Sequence, residues 1–469
     1  MSIKLNKIPT SLRKPEIYIE YDTSRAAAGL PSGANKVLLL GQKTSAGTAE
    51  VNVPKEIYSE SDAIKYFGAG SILHQMVAAA ITANKYVYLY AMCVADADES
   101  VAASGTITVT GPATGAGLMT VNIGNVSLEK SVASGDAAAD IASDIADLIN
   151  NKPALPVSAT AAAGVVTLTA KNKGTLGNSV VVTVDNTADG VSAAIVAMTG
   201  GLVDPDLTAA LTAIQAVRYQ FISSPFFDTT ALGKLKTHIE LVSDPIEQKG
   251  GVVVFPYLGT LANVLTLTAN YSQTGRLLCQ YLRGTKSLPW ELSAGVSAIF
   301  GYEEDPAKPF DGVAVPGIAA PAIADRLTRA EQETCLHAGI TPLEVNSTGE
   351  VEIVRAITTY TQNESGVDDD ALLDLSRIRV LDYTRDAVRT RLKLRFPQAK
   401  LTDKVLSAMA TEVYNVLLEE EAAEYVENVE DNKDNILVER DSAAGKALIS
   451  IPTDVIDGLH VIAGKLVLL

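Results

Sequence analysis

The chain has 469 residues, more than one hydrophobic core usually covers, so about two to four domains are expected. Hydrophobic residues make up 47% of it and charged residues 20%, a balance that excludes global disorder. The 55 acidic residues outnumber the 38 basic ones, and the net charge of −17 argues against nucleic acid or an anionic membrane as the partner of the chain as a whole.

The cysteines and the apolar runs indicate a cellular compartment. Cys93, Cys279 and Cys335 are odd in number and lie in apolar or helical contexts, which predicts reduced thiols in a cytosol. Residues 1–12 lack the apolar core of a signal peptide, and the longest apolar runs, such as residues 87–94, are too short to span a bilayer. We therefore expect a soluble intracellular product.

The first 30 residues alternate short apolar pieces with prolines and charges. They carry too few apolar residues to pack as a domain, which predicts an extended arm. Helices and apolar strands then alternate: helices at residues 71–84, 207–217 and 230–242, and strands at 37–40, 86–94, 219–223 and 251–255. Because the strands are apolar throughout, the pattern predicts a largely parallel sheet covered by helices.

Residues 102–201 interrupt this alternation. They are rich in Thr, Val, Ala and Gly, they contain alternating segments typical of strands, and one helix is predicted at residues 136–150. The segment has the composition of a β-rich module inserted into an exposed loop of the α/β domain. From its position and composition we hypothesise an outer decoration.

A local reversal of charge marks the C-terminal part. After a predicted strand at residues 351–360 and an acidic turn, Asp368–Asp370, a long basic helix is expected. Its apolar positions have helical spacing and predict one buried stripe: Leu381, Thr384, Val388, Leu392 and Phe396. Its other face is basic: Arg385, Arg389, Arg391, Lys393 and Arg395. A charged helix face is either solvated or meets an acidic partner, and both readings stay open.

A second helix is predicted at residues 406–423, with its glutamates exposed, and strands at 435–440 and 446–451. The tail, residues 459–469, ends in four apolar residues: Leu466, Val467, Leu468 and Leu469. Such a segment is either a strand of its own sheet or a strand donated to another chain.

Motifs of catalysis are missing from the sequence. The loop at residues 41–47, GQKTSAG, follows a strand as a phosphate loop would, but it lacks both the Gly-Lys-Ser/Thr ending and the G-x-G-x-x-G pattern. The four histidines have no metal-ligand spacing, and no G-x-S-x-G elbow is present. We predict no catalytic residue, no metal site and no cofactor.

The most specific signal is an ordered set of motifs along essentially the whole chain. In order they read IPTSLRKPEIYIEYDTSRAAAGLP, VLLLGQKTSAGTA, FGAGSILHQM, GTLGNSVVV, AMTGG, DPAKPFDG, VRAITTYT, LLDLSRIRVLDYTRDAVRTRL and FPQAKLTDK. Each is weak alone, but the ordered set resembles the contractile phage tail sheath proteins of the Mu-like branch, which are related to tailocin sheaths.

The resemblance implies a structural subunit, not an enzyme, that polymerises around a tail tube and contracts to drive the tube through the host cell envelope. It implies stacked six-fold rings of the chain, contacts with the tail tube, baseplate and tail terminator proteins, and neither nucleic acid nor membrane insertion. The expected location is the tail of a virion or a tailocin particle, assembled in the cytoplasm of the host bacterium.

The resemblance also suggests interaction residues. In sheath proteins both terminal arms add as strands to the small sheet of neighbouring subunits, which here would involve Ile3, Leu5, Ile8, Leu466, Val467, Leu468 and Leu469. The C-terminal domain of a sheath subunit faces the tube, so the basic helix would present to tube or subunit these residues: Arg385, Arg389, Lys393 and Arg395.

The predicted fold class is α/β, in an α+β multidomain chain. The expected division is an N-terminal arm (1–20), a discontinuous α/β middle domain (21–101 and 202–349), the inserted β-rich domain (102–201), a C-terminal α+β assembly domain (350–458) and an arm strand (459–469). Two rivals remain. A surface or adhesin protein would suit the Thr-rich insertion, and an α/β ligand-binding enzyme would use the loop at residues 41–47.

Overall fold

The computed structural model describes Lys14 and residues 34–468. The described residues fall into two compact units: one contains Tyr383–Ile456, and the larger one contains Ala34–Asp382 and residues 457–468. The predicted arm residues Ile3, Leu5 and Ile8, and Leu469, lie outside the described residues.

Residues 34–468 contain twenty strands and ten α-helices. The strands are β1 (Lys36–Gly41), β2 (Lys55–Ile57), β3 (Tyr88–Cys93), β4 (Ala102–Thr110), β5 (Gly117–Ile123), β6 (Val126–Val132), β7 (Val157–Ala162), β8 (Val165–Lys173), β9 (Val182–Asn186), β10 (Ser192–Thr199), β11 (Phe221–Ser223), β12 (Val252–Tyr257), β13 (Leu277–Tyr281), β14 (Val313–Ala314), β15 (Ile340–Val345), β16 (Val351–Ile353), β17 (Val426–Glu427), β18 (Leu437–Asp441), β19 (Lys446–Ser450) and β20 (Asp454–Val455). The helices are α1 (Glu60–Phe67), α2 (Ile72–Ala83), α3 (Ala138–Asn150), α4 (Thr208–Ile214), α5 (Thr229–Ser243), α6 (Leu261–Ala269), α7 (Pro289–Tyr302), α8 (Arg329–His337), α9 (Leu375–Arg395) and α10 (Asp403–Ala422).

The larger unit is built on a nine-stranded sheet in the order β14-β16-β15-β13-β12-β11-β1-β3-β2. The six strands from β15 to β3 run parallel, and the flanking strands β16, β14 and β2 are antiparallel to their neighbours. The predicted α/β fold with a covered parallel sheet is confirmed. The strand order reverses at β1, which lies between β3 and β11.

Apolar helices cover this sheet. α2 and α7 pack against each other and both contact β1, while α5 contacts β12 and α8 contacts β15. α7 is buried over most of its length, and its Trp290 indole N–H donates to Oε1 of Gln75 at 2.7 Å. Since a buried indole needs an acceptor, this bond fixes the tryptophan in the core.

Strands β4 to β10 form two sheets apart from the nine-stranded one. Their orders are β10-β4-β8-β7 and β6-β5-β9, and α3 packs against β7. Val101 and Leu202 exchange two backbone hydrogen bonds of 3.0 and 3.2 Å. The chain therefore leaves for this pair of sheets and returns from it at one point.

The smaller unit contains the part of α9 from Tyr383 onward, α10 and two short antiparallel pairs, β17 with β20 and β18 with β19. Tyr383 and Tyr425 meet edge to face, with ring centroids 5.3 Å apart. The predicted second helix and the two predicted strands that follow it are present here.

Two local predictions are wrong. The strand expected at residues 351–360 ends at Ile353, because side chains take over the backbone bonds: the Thr341 hydroxyl both donates to the carbonyl and accepts from the N–H of Ile357. The expected buried stripe fails at Leu381, which is 38% exposed, while Asp382 and Arg391 on the same helix are buried. A pattern of apolar residues alone does not predict these positions, because paired polar side chains occupy them.

Candidate functional site

The crevice beside β1 is where an α/β protein with this strand order would bind a ligand. Gln42 follows β1 directly, and its carbonyl accepts from the N–H of Leu73 in the first turn of α2 at 3.2 Å. A helix N-terminus with free N–H groups at this place would be a phosphate site.

Those N–H groups are occupied by the chain itself. Asn172 of β8 accepts from the N–H of Ile72 at 2.9 Å and donates to the carbonyl of Lys43 at 3.0 Å. Ser71 accepts from the N–H of His74 at 3.1 Å. Gln42 is fully buried and donates to the Lys173 carbonyl at 2.9 Å. Residues of β8 therefore hold the loop at residues 41–47 against the first turn of α2.

Two titratable side chains in the larger unit are buried in their uncharged forms. Burial lowers the pKa of His238 to about 4 and raises the pKa of Cys335 to about 12, so the imidazole stays neutral and the thiol stays protonated. All three cysteines are free and buried. Over the described ranges no group of three or more His, Cys, Asp or Glu side chains is arranged to hold a metal ion. No helix in the same ranges is long and apolar enough to cross a membrane.

In the smaller unit, an ion-pair cluster joins the basic helix to the acidic one. Arg391 of α9 is buried, lying 2.7 Å from Glu419 and 3.5 Å from Glu412 of α10. Arg395 lies 3.6 Å from the same Glu412. Part of the predicted basic face is thus neutralised within the chain. The sequence signal for this pairing was the helical spacing of basic residues on α9 and of acidic residues on α10.

Glu420 is a functional-site candidate that the sequence pattern places wrongly. It was expected to be exposed and is fully buried, where the Thr384 hydroxyl donates to its carboxylate at 2.7 Å. Burial raises the pKa of Glu420 to about 7. The two helices thus enclose a carboxyl group that can be neutral at physiological pH.

The remaining basic side chains differ in exposure. Arg389 and Lys393 are exposed, and among the described residues neither forms an ion pair or hydrogen bond. Arg385 is half-buried, and Arg395 is exposed but paired with Glu412. Arg389 and Lys393 are the members of the predicted basic face that are open to an outside partner.

The C-terminal segment has no strand over residues 459–468. Leu466 and Leu468 are 102% and 100% exposed, as in an extended peptide, and Val467 is exposed as well. Of the two readings of this segment, a strand of its own sheet is therefore not observed among the described residues. In the smaller unit, β18 and β19 pair only with each other within residues 34–468, and Leu437 and Leu448 are exposed.

Comparison with known proteins identifies the family of the chain. Residues 200–359 match the family profile "Phage tail sheath protein central domain", and residues 367–468 match "Phage tail sheath C-terminal domain". The Mu-like prophage FluMu tail sheath protein of Haemophilus influenzae is 30% identical over 462 residues, covering 94% of each chain. The chain belongs to the phage tail sheath protein family.

Solved sheath proteins share the fold at low identity. The sheath tail protein of Desulfitobacterium hafniense matches with a TM-score of 0.54 and 14% identity, over 95% of this chain and 97% of its own. The anti-feeding prophage helical sheath in its contracted state matches with a TM-score of 0.52 and 14% identity, over 97% and 99%. Membership of the tail sheath family makes the chain a structural component of a contractile phage tail or tailocin particle and not an enzyme, and neither rival interpretation is favoured.

Proposed function

We propose that the sheath subunit polymerises as stacked six-fold rings around a tail tube, with baseplate and tail terminator proteins at the two ends. Assembly takes place in the host cytoplasm, and contraction drives the tube through a cell envelope. The mechanical work comes from repacking rigid subunits, which agrees with an α2 N-terminus whose N–H groups are already bonded within the chain. We also keep the predicted five-part division of the chain as part of this proposal.

The observation that carries the proposal is the exposed apolar segment at residues 459–468. Side chains such as Leu466 and Leu468 gain nothing from water, and backbone groups in an extended segment are free to pair with a sheet edge. We propose that this arm is donated to neighbouring subunits, together with Leu469 and the N-terminal residues Ile3, Leu5 and Ile8. Donation would bury the apolar side chains and pair the backbone groups. Each backbone hydrogen bond so formed contributes about 0.5–1.5 kcal/mol net.

The hairpin of β18 and β19 is the acceptor that best fits such an arm. An isolated two-stranded hairpin is marginal in water, and three or more strands make it stable. One face of the hairpin packs toward α10 through half-buried Val438 and Ile449, while its edges and the exposed side chains of Leu437 and Leu448 remain open. Arms from neighbouring subunits would complete this small sheet.

The exposed basic residues of α9 fit an acidic counterpart. Arg389 and Lys393 project from a chain of net charge −17, so another copy offers abundant acidic surface, and we propose that the face with Arg385 and Arg395 meets such a surface on a neighbouring subunit or the tube. For residues 102–201 we propose an outer decoration, attached through the Val101–Leu202 bridge.

A truncation tests the arm. Full-length protein and a chain ending at Gly464 would be compared by sedimentation and negative-stain microscopy under the same assembly conditions. The full chain forms tubes, and the truncated chain sediments as a subunit with an unchanged circular dichroism spectrum. Normal tubes from the truncated chain would refute donation of residues 465–469. A matched control, Ile246→Ser, removes one exposed apolar side chain outside the arm and is expected to leave tube formation unchanged.

A further inference from the structure

The segment that precedes the exposed arm, residues 457–460, is held by ion pairs and hydrogen bonds. Arg377 of α9 donates from Nε and Nη2 to Oδ1 of Asp457 at 3.1 and 2.5 Å. Three residues on, the Nδ1 atom of His460 is hydrogen-bonded to Oδ2 of Asp311, and its Nε2 atom lies 3.6 Å from Oδ1 of Asp374. All these residues belong to the larger unit.

Beyond His460 the chain is exposed throughout, as far as residue 468. The side chains of His460 and Asp374 are only 15% and 12% exposed, whereas Val461 and Ile462 are largely exposed. A tight turn brings the imidazole to its carboxylates, because the His460 N–H donates to the Gly458 carbonyl at 3.0 Å. A Cβ on Gly458 would lie 2.8 Å from the imidazole ring, so a larger residue at this position would displace the ring.

The charges around residues 457–460 favour a hydrogen-bond donor at position 460. Asp374 already receives two bonds from Arg355, of 2.9 and 2.8 Å, and Asp311 and Asp457 add two further carboxylates. Two arginines therefore face three aspartates, and the imidazole supplies the missing donor to Asp311. The contact joins elements far apart in sequence, the 305–312 loop and the start of α9.

We propose that residues 457–460 form a clip that fixes where the arm leaves its own subunit, so that the arm reaches a neighbouring copy from a constant position. This inference rests on the proposed arm exchange. The eight residues beyond the clip, 461–468, span at most about 27 Å when extended. A short tether with a fixed origin raises the effective concentration of the arm at its acceptor and transmits load between subunits when they move.

Nitroxide labels on the unassembled full-length subunit test the clip. Leu459→Cys places a label within the clip and Leu466→Cys places one beyond it, and the three native thiols are buried and stay unlabelled. The label at position 459 is expected to be immobilised and the one at 466 mobile. Asp311→Asn combined with Asp457→Asn is expected to shorten the rotational correlation time at 459 at least threefold and to leave 466 unchanged.

Two variants guard against misreading. Asp457→Asn alone acts on a carboxylate whose side chain is 71% exposed, so it leaves the fold intact and still loosens position 459. Glu430→Gln, which breaks an exposed pair with Lys433 elsewhere, leaves both labels unchanged. Equal mobility at 459 and 466 in the parent protein, or no response to the aspartate variants, overturns the clip. Tube formation by the chain ending at Gly464 would instead refute donation of residues 465–469 and leave the clip standing.

Discussion

Arg276 and Asp382 form two parallel hydrogen bonds, 2.8 and 2.9 Å long, that tie the first half of α9 to the loop before β13. The same guanidinium donates to the Gly251 carbonyl at 3.0 Å. A Cβ on Gly250 would come within 2.1–2.4 Å of the Asp382 carboxylate, so the backbone approaches this pair closely. Asp382 is the last residue of the larger unit before Tyr383 begins the smaller one, and the pair secures α9 at that boundary.

Asp382→Asn is expected to destabilise the larger unit by about 3 kcal/mol, because it leaves a largely buried guanidinium without its counter-charge. Urea unfolding followed by the fluorescence of Trp290, the single tryptophan, measures the loss in that unit. Glu430→Gln, which breaks an exposed pair in the smaller unit, serves as the control with little effect. An Asp382→Asn protein as stable as the parent would contradict this role.

Glu420 is expected to make the smaller unit less stable as the pH rises. Its pKa is about 7 in the folded protein, against about 4.3 in an unfolded chain. Between these values the unfolded chain gives up its proton while the folded one keeps it, so unfolding is favoured progressively, by about 4 kcal/mol above pH 7. Glu420→Gln keeps the acceptor for Thr384 and removes this penalty.

The check is the melting temperature of Glu420→Gln relative to the parent at pH 8 and pH 5, followed by circular dichroism. The variant gains more at pH 8 than at pH 5. The exposed Glu427→Gln provides the comparison and shows no pH-dependent gain. A gain that is the same at both pH values would rule out the proton linkage.

His238 is expected to make the larger unit less stable as the pH falls. Its pKa falls to about 4 in the folded protein through burial, from about 6.5 when unfolded. As the pH falls from 6.5 to 4, the unfolded chain binds a proton that the folded chain refuses, so stability is lost on the acid side. His238→Phe flattens the slope of stability against pH in Trp290-monitored unfolding, whereas His337→Gln at an exposed position does not. An unchanged slope in His238→Phe would contradict the assignment.

Asn172→Ala is expected to weaken the seal over the first turn of α2. It removes the cap on the Ile72 N–H and the bond to the Lys43 carbonyl, at a cost of about 1–2 kcal/mol. Ser158→Ala, on the exposed side of the neighbouring strand β7, is the matched control.

The parent protein is expected to show no shift in melting temperature with ATP or inorganic phosphate at millimolar concentration. Saturable ATP binding by the parent would contradict a closed crevice.

The sequence predicted the parallel sheet well because its strands are apolar throughout, as at Val37 to Leu40, and such a run has few other stable solutions. It failed where buried polar groups pair over long sequence distances. Nothing local announces that Asp382 meets Arg276, 106 positions away, or that Asn172 caps a helix 100 positions earlier. Glu420 looked exposed because its partner, the Thr384 hydroxyl, lies on another helix.

The candidate site was likewise only partly predictable from the sequence. The apolar tail was recognisable from Leu466 to Leu469, since four consecutive apolar residues need burial somewhere. Its clip was not, because Asp311, Asp374 and His460 come together only in the folded chain. The basic face was recognisable as a cluster, but only the structure separates exposed Arg389 from buried Arg391.

A cryo-electron microscopy reconstruction of tubes assembled from the full-length subunit tests arm exchange most directly. The account predicts density for residues 461–468 as an added strand beside the β18–β19 hairpin of a neighbouring copy, with His460 still at Asp311 of its own subunit. Density showing the same residues folded back as a strand on their own subunit, with the hairpin edges unoccupied, would contradict it.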